Sequence, residues 1–200
     1  DGVEIVVPNG VSRKMAISML HQHGDWVAAH MQRLPERVQF MPGAWIPFMG
    51  HDHAIRAVPD AKRGVWVEAG VIWVSGQPEH TNRRVTDFLK KQAKLEIAPR
   101  AHAYAEQINK KVNRISLKDT RTRWGSCSSS GNLSFSWRLV LAPEDVLDYV
   151  VAHEVAHLQE LNHSARFWAV VDDLYGPSKK QQHWLKKHGA ALHRYGAGSA

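Results

Sequence analysis

Two histidines one helical turn apart, with a glutamate between them, constrain this chain more than any other feature. They lie in Val151 to Trp168, which reads VAHEVAHLQELNHSARFW and holds His-Glu-Val-Ala-His at 153–157 and a further histidine at 163. On a helix, four residues turn about 400° and rise about 6 Å, so His153 and His157 share one face roughly 40° apart. Two imidazoles so placed can close on one metal ion. Glu154 falls between them in azimuth, close enough to touch a water on that ion without binding the ion itself. This H-E-x-x-H arrangement supplies two ligands and a general base. The preceding run, Val146-Leu-Asp-Tyr-Val-Val151, is apolar enough to be largely buried. Ionisable groups inside such a helix need a polar reason to be there.

A catalytic zinc takes three protein ligands and leaves one position open. His163 is the expected third ligand, reached by a turn after a helix end near Leu161-Asn162, since Asn tolerates the left-handed position that closes helices. Glu160, Asp172 and Asp173 are the rivals. Glu160 lies three residues past His157 on the same helix, and the two aspartates suit outer or surface positions. Gly-His-Asp-His at 50–53 reads as a polar turn entering a strand, because no further ligand has matching spacing. His183, His188 and His193 step by five, which rotates them around a helix axis rather than gathering them.

With 200 residues the chain has one large domain or two small ones and is long enough to bury a core. Its formal net charge of +7 favours acidic partners, nucleic acid or an acidic protein. The single cysteine, Cys127, excludes an internal disulfide framework and suits a reducing, cytoplasmic setting; it is expected to be a small packed residue rather than a ligand. No run approaches 18 apolar residues, so no membrane-spanning helix is expected.

The punctuation implies an α+β fold. A strand is expected over Val3 to Val7, then a helix capped by Ser12 and a second capped by Asp25 and running to Leu34. Strands follow over 44–49, 53–58, 65–68 and 71–74, the last two as a hairpin. From about 80 to 113 the pattern is helical, with Pro99 marking a kink or a fresh start. Strands are expected over 115–120, 123–128 and 132–137, the last two joined by Ser129-Ser-Gly131. Alternating serines there suit a half-buried sheet beside the metal helix, which Pro143 opens. Ser164 caps a further helix, and a basic helix covers 179–195. By composition the chain divides into a β-rich subdomain with two helices (1–78), a catalytic part (79–195) and a loose tail (196–200). Trp26, Trp45, Trp66 and Trp73 read as core or interface residues.

Four segments together, Arg123-Trp-Gly-Ser-Cys-Ser, Trp137-Arg-Leu, Tyr149-Val-Val-Ala-His-Glu-Val-Ala-His-Leu and Asn162-His-Ser-Ala-Arg-Phe-Trp168, resemble the YgjP-like zinc metallopeptidases, relatives of the SprT-like proteins. The resemblance implies a zincin-like domain, zinc on His153, His157 and His163, and Glu154 as catalytic residue. It also implies a further strand ahead of Asp1. The H-E-x-x-H-x5-H spacing is shared with metzincins, whose turn glycine would fall where this chain has Glu160. No four-cysteine zinc ribbon follows the site, which weakens a DNA-repair protease reading. The expected activity is zinc-dependent hydrolysis of peptides, with Arg123 and Tyr149 as candidate transition-state or substrate contacts. The strand around Arg123 to Ser128 is open to two readings, an edge to which an extended peptide adds or an ordinary internal strand. Two rival expectations are a metal-dependent nucleotide phosphohydrolase, which lacks a phosphate-cradling glycine loop, and a nucleic-acid-binding module with a structural zinc.

Overall fold

The computed structural model describes residues 7, 8, 10–32 and 36–196. Most of the strand expected over Val3 to Val7 lies outside them. The contacts group the chain into two compact units, residues 1–36 and 37–200.

The first unit holds two helices, α1 (Arg13–Gln22) and α2 (Gly24–Gln32). Ser12 caps α1 by accepting a hydrogen bond from the Met15 N–H. Helix α2 begins at Gly24, so Asp25 sits inside its first turn rather than at the cap, where its charge meets the positive helix end.

The second unit contains two sheets and four helices. Strands β1 (Trp45–Phe48), β2 (His51–Val58), β3 (Val65–Glu68) and β4 (Val71–Ser75) form one sheet in the order β1-β2-β4-β3. The expected hairpin over 65–74 is present as antiparallel β3 and β4, and β4 then pairs parallel with β2. Helix α3 (Thr81–Gln107) packs its stripe Val85, Leu89, Ala93, Ile97, Ala101 and Ala105 into the core. Four-residue spacing with small residues in its second half brings it close to its neighbours. Pro99 does not restart this helix, which runs from Thr81 to Gln107 with the proline inside it. The carbonyl one turn back belongs to exposed Leu95, and the Arg100 guanidinium donates to the neighbouring Glu96 carbonyl at 2.8 Å. The carbonyl that the proline leaves unpaired therefore lies on the exposed side of the helix, where water can serve it. The helix stops at Gln107, not 113, because Asn109 turns the chain in the left-handed region at φ 53°.

Strands β5 (Arg114–Lys118), β6 (Gly125–Cys127) and β7 (Asn132–Ser136) form the second sheet, in the order β5-β7-β6. The turn before β7 is tight, with Gly131 at φ 77°. Residues 137–141 wind into a buried 3₁₀ turn that leads to α4 (Glu144–Ala156). Helices α5 (Ala165–Leu174) and α6 (Lys179–His188) follow, and the basic helix expected to reach 195 tightens into 3₁₀ over Gly189–Arg194. The core is continuous from Ile46, Ile55 and Ile72 of the first sheet through α3 to Leu147, Val151 and Phe167. It sheathes α4 so fully that Val146, Leu147, Val150, Val151 and Val155 are all buried.

Candidate metal centre

Pro143 stands at the N-cap of α4, with Glu144 and Asp145 in the first turn, where carboxylates suit the positive end of the helix. The helix ends at Ala156, earlier than the Leu161-Asn162 boundary expected from sequence. The chain tightens there, with Leu158 N–H donating to Val155 O and Gln159 N–H to Ala156 O. His157 therefore sits at the C-cap, and its Nδ1 lies 2.9 Å from the Glu160 carbonyl. That contact assigns the proton to Nδ1 and leaves Nε2 as the ligand atom. The early end also gives the chain room to return and present His163, just ahead of Ser164, which caps α5 through the Phe167 N–H.

One ligand nitrogen from each of His153, His157 and His163 lies within 4.8 Å of the others. Nε2 of His153 and Nε2 of His163 are 3.1 Å apart. Bonds of about 2.0–2.1 Å in a tetrahedral shell place two nitrogens about 3.3 Å apart. The donor set and spacing therefore fit a small divalent ion. Phe167 forms the floor, its ring centre 4.4–4.9 Å from all three imidazoles. Sequence reasoning did not single out this residue, although its place three residues after the Ser164 cap, on the apolar side of α5, is a readable signal. The rivals are placed apart from this group: Glu160 contributes its backbone carbonyl, and Asp172 and Asp173 are exposed on α5.

Burial, then the neighbouring His157 and His163, push His153 down to about 4. Burial also lowers His157. Both rings are therefore neutral at neutral pH, as metal binding requires. Glu154 is 7 % exposed, and burial raises its carboxyl to about 7 while the charge of Arg123 pulls the other way. It has no hydrogen-bond or ion-pair partner among the described residues. A carboxyl poised near neutrality and free to accept a proton suits general base chemistry.

Tyr149 is buried, with its hydroxyl 3.4 Å from His153 Nδ1. Burial, with a contribution from Glu154, pushes its phenol up to about 12. Arg123 is exposed at the entry to β6. Both line a cleft of about 410 Å³ with the three histidines, Glu154 and the whole of β6. Cys127 also lines it and stands outside the histidine group; burial, then Glu154, raises its thiol to about 11.

Because β6 ends the order β5-β7-β6, its outer edge is unpaired within the sheet. Ser136 N–H donates to the Trp124 carbonyl and Ser128 N–H to the Asn132 carbonyl, so these positions face β7. Alternation then turns the N–H and C=O of Gly125 and Cys127 to the open edge.

The other histidines are placed elsewhere. His53 is buried edge-on to Phe48, with Nδ1 2.9 Å from the His51 carbonyl. His193 stacks on Trp124 with ring centres 5.3 Å apart. Trp45 is 62 % exposed, and Trp66 and Trp73 stack on each other at 6.3 Å.

Comparison with known proteins gives one family match, described as YgjP-like, metallopeptidase domain, over residues 1–188. No curated protein matches the chain. Among solved structures, the chain is similar to the metallopeptidase zymogen abylysin of Pyrococcus abyssi, with 16 % identity and a TM-score of 0.42 over 50 % of this chain and 97 % of that one. It is also similar to the metallopeptidase zymogen jannalysin of Methanocaldococcus jannaschii, with 19 % identity and a TM-score of 0.40 over 48 % and 96 %.

Proposed function

Since the chain belongs to the YgjP-like metallopeptidase family, we propose that His153, His157 and His163 hold zinc and that Glu154 moves the proton in peptide-bond hydrolysis. A metallopeptidase acts on peptides or proteins and needs a metal ion; the identity of that ion and the roles of the residues are the proposal. The observation that carries it is the convergence of three histidine nitrogens within 4.8 Å beside a buried carboxyl with no hydrogen-bond partner among the described residues. Three neutral nitrogen ligands with one open position suit zinc.

When bound, zinc acidifies a water towards a pKa of about 7 and polarises the scissile carbonyl. Glu154, one residue past His153, would be placed to take up a proton at its carboxylate and return it to the leaving amine. Its raised carboxyl matches both halves of that task near neutral pH. Arg123 offers positive charge at the mouth of the cleft to the developing oxyanion. Tyr149 orients His153 through the 3.4 Å contact and lies within the same cleft. The open edge of β6 offers the N–H and C=O groups of Gly125 and Cys127 to an extended peptide as an added strand. Residues 79–195 supply this machinery and 1–78 the β-rich part of the fold. The net charge of +7 supports acidic polypeptides or nucleic acid as partners outside the cleft. The lone Cys127 supports a cytoplasmic setting. No helix among the described residues is long and apolar enough to cross a membrane.

The test is hydrolysis of fluorescently labelled casein by the zinc-loaded chain. Cleavage is expected with wild type, abolished by a chelator and by Glu154→Gln. Cleavage that survives Glu154→Gln contradicts the assignment. Turnover of nucleoside triphosphates in place of casein would favour phosphoanhydride hydrolysis.

A further inference from the structure

We propose that Gly125 is a positioning residue for Glu154: its missing side chain is the space that the carboxylate occupies. A Cβ built on Gly125 would lie 2.5 Å from Glu154 Oε1 and 2.6 Å from its Cδ. Non-bonded heavy atoms settle about 3.5–4.0 Å apart, so even a methyl group displaces the carboxylate by about 1 Å. Backbone freedom is not the reason for this glycine. Its φ lies outside the left-handed region, unlike Gly131 at φ 77° in the turn that follows. An alanine could adopt the Gly125 backbone, and glycine inside a strand weakens it. What glycine alone provides is room on the side facing α4.

The neighbours narrow the alternatives. Cys127, two residues on and therefore on the same side of β6, also feels the Glu154 charge. Trp124, on the alternate position, packs against Gly189 and stacks on His193 instead. Gly125 thus lies directly against the Glu154 side chain. The same residue turns its N–H and C=O to the unpaired edge. One glycine therefore fixes the separation between the carboxylate and the strand edge, and so the position of an extended substrate relative to the group that moves the proton.

The kinetic part of this inference rests on the peptidase reading, whereas the packing part does not. The experiment is a double-substitution cycle on zinc-loaded protein with Gly125→Ala, Glu154→Ala and the pair, read by thermal melting. Gly125→Ala is expected to lower the Tm by about 5 °C when Glu154 is present, and by less than about 1 °C when Glu154→Ala has removed the atoms it strikes. A single variant that does not fold, beside a double variant that does, supports the same contact. An equal loss in both backgrounds, including failure to fold in both, overturns it. With labelled casein, Gly125→Ala is expected to lower kcat about 100-fold with KM within about twofold and zinc retained. Unchanged kcat overturns the positioning role. Absence of any casein cleavage by wild type sinks the peptidase reading and leaves the melting cycle to decide the contact.

Discussion

Glu154 and Arg138 are two charged side chains almost equally withdrawn from water, at 7 % and 6 % exposure, and they are served in opposite ways. The Arg138 guanidinium donates from Nε and Nη2 to Asp119 at 2.6 and 3.0 Å, and from Nη1 to the carbonyls of Leu192 and Tyr195. Its carbon lies 4.5 Å from the centre of the Trp137 ring. Each of the three guanidinium nitrogens has a partner, and the result is a clamp that ties the C-terminal 3₁₀ segment to the core. Glu154 has no such partner among the described residues and faces a cleft beside three converging imidazoles. A buried charge with all its bonds made is structural. One left unbonded at a cleft carries an energetic penalty and marks a candidate functional group.

The comparison breaks most visibly at Glu154. Glu154→Gln keeps the shape and removes the base, so kcat on casein is expected to fall about 10³-fold or more, with zinc content unchanged and the Tm equal or about 2 °C higher. A fall in Tm with activity retained would mean that Glu154 is structural like Arg138. The converse variant is Arg138→Met. It leaves two carbonyls and the Asp119 carboxylate without their donor, and is expected to cost about 3 kcal/mol of stability while zinc per folded chain stays the same. Denaturant unfolding beside metal analysis checks both halves.

Smaller effects sharpen each side. Tyr149→Phe removes the hydroxyl at 3.4 Å from His153 Nδ1 and is expected to weaken zinc binding about tenfold, read by competition with a chromogenic chelator. Asp119 gives a pH-dependent effect. Burial works to raise its carboxyl, but the hydrogen bonds and charge of Arg138 outweigh that and hold it below the ordinary 3.8. A carboxyl lowered in the fold adds stability above its unfolded value, and that stability is lost as pH falls through the folded one. Asp119→Asn is therefore expected to melt lower than wild type at pH 7, by a margin that closes as the pH drops below 3.8. The carboxylate is half exposed, so the margin is small.

The sequence was legible where chemistry repeats at fixed spacing. His153 and His157 need only the helical turn to be placed on one face, and Pro143 with Glu144 and Asp145 marks where that helix starts. The 65–74 hairpin is readable from Ala69-Gly70 between β-branched runs, and the 123–137 hairpin from Ser129-Ser-Gly131 between strands of alternating serines. The end of the metal helix was not, because it is set by i→i−3 hydrogen bonds at Leu158 and Gln159 and by the His157–Glu160 contact, neither of which has a sequence signature. Pro99 misled for a related reason. Its cost depends on the exposure of Leu95, whose carbonyl it leaves unpaired, and that is a tertiary fact. The parallel pairing of β2 with β4, the closeness of Gly125 to Glu154 and the Arg138 clamp join residues 17 to 57 apart in the chain, beyond the reach of local pattern.

Elemental analysis of wild type, His153→Ala and His163→Ala, purified without added metal, tests the central assignment most directly, with Glu154→Gln as the control that keeps all three ligands. The account predicts about one zinc per chain in wild type and in Glu154→Gln, and its loss or marked weakening in both histidine variants. Full zinc occupancy in His163→Ala would contradict the three-histidine site, and a wild-type chain that takes up no zinc even on titration would contradict the hydrolase built on it.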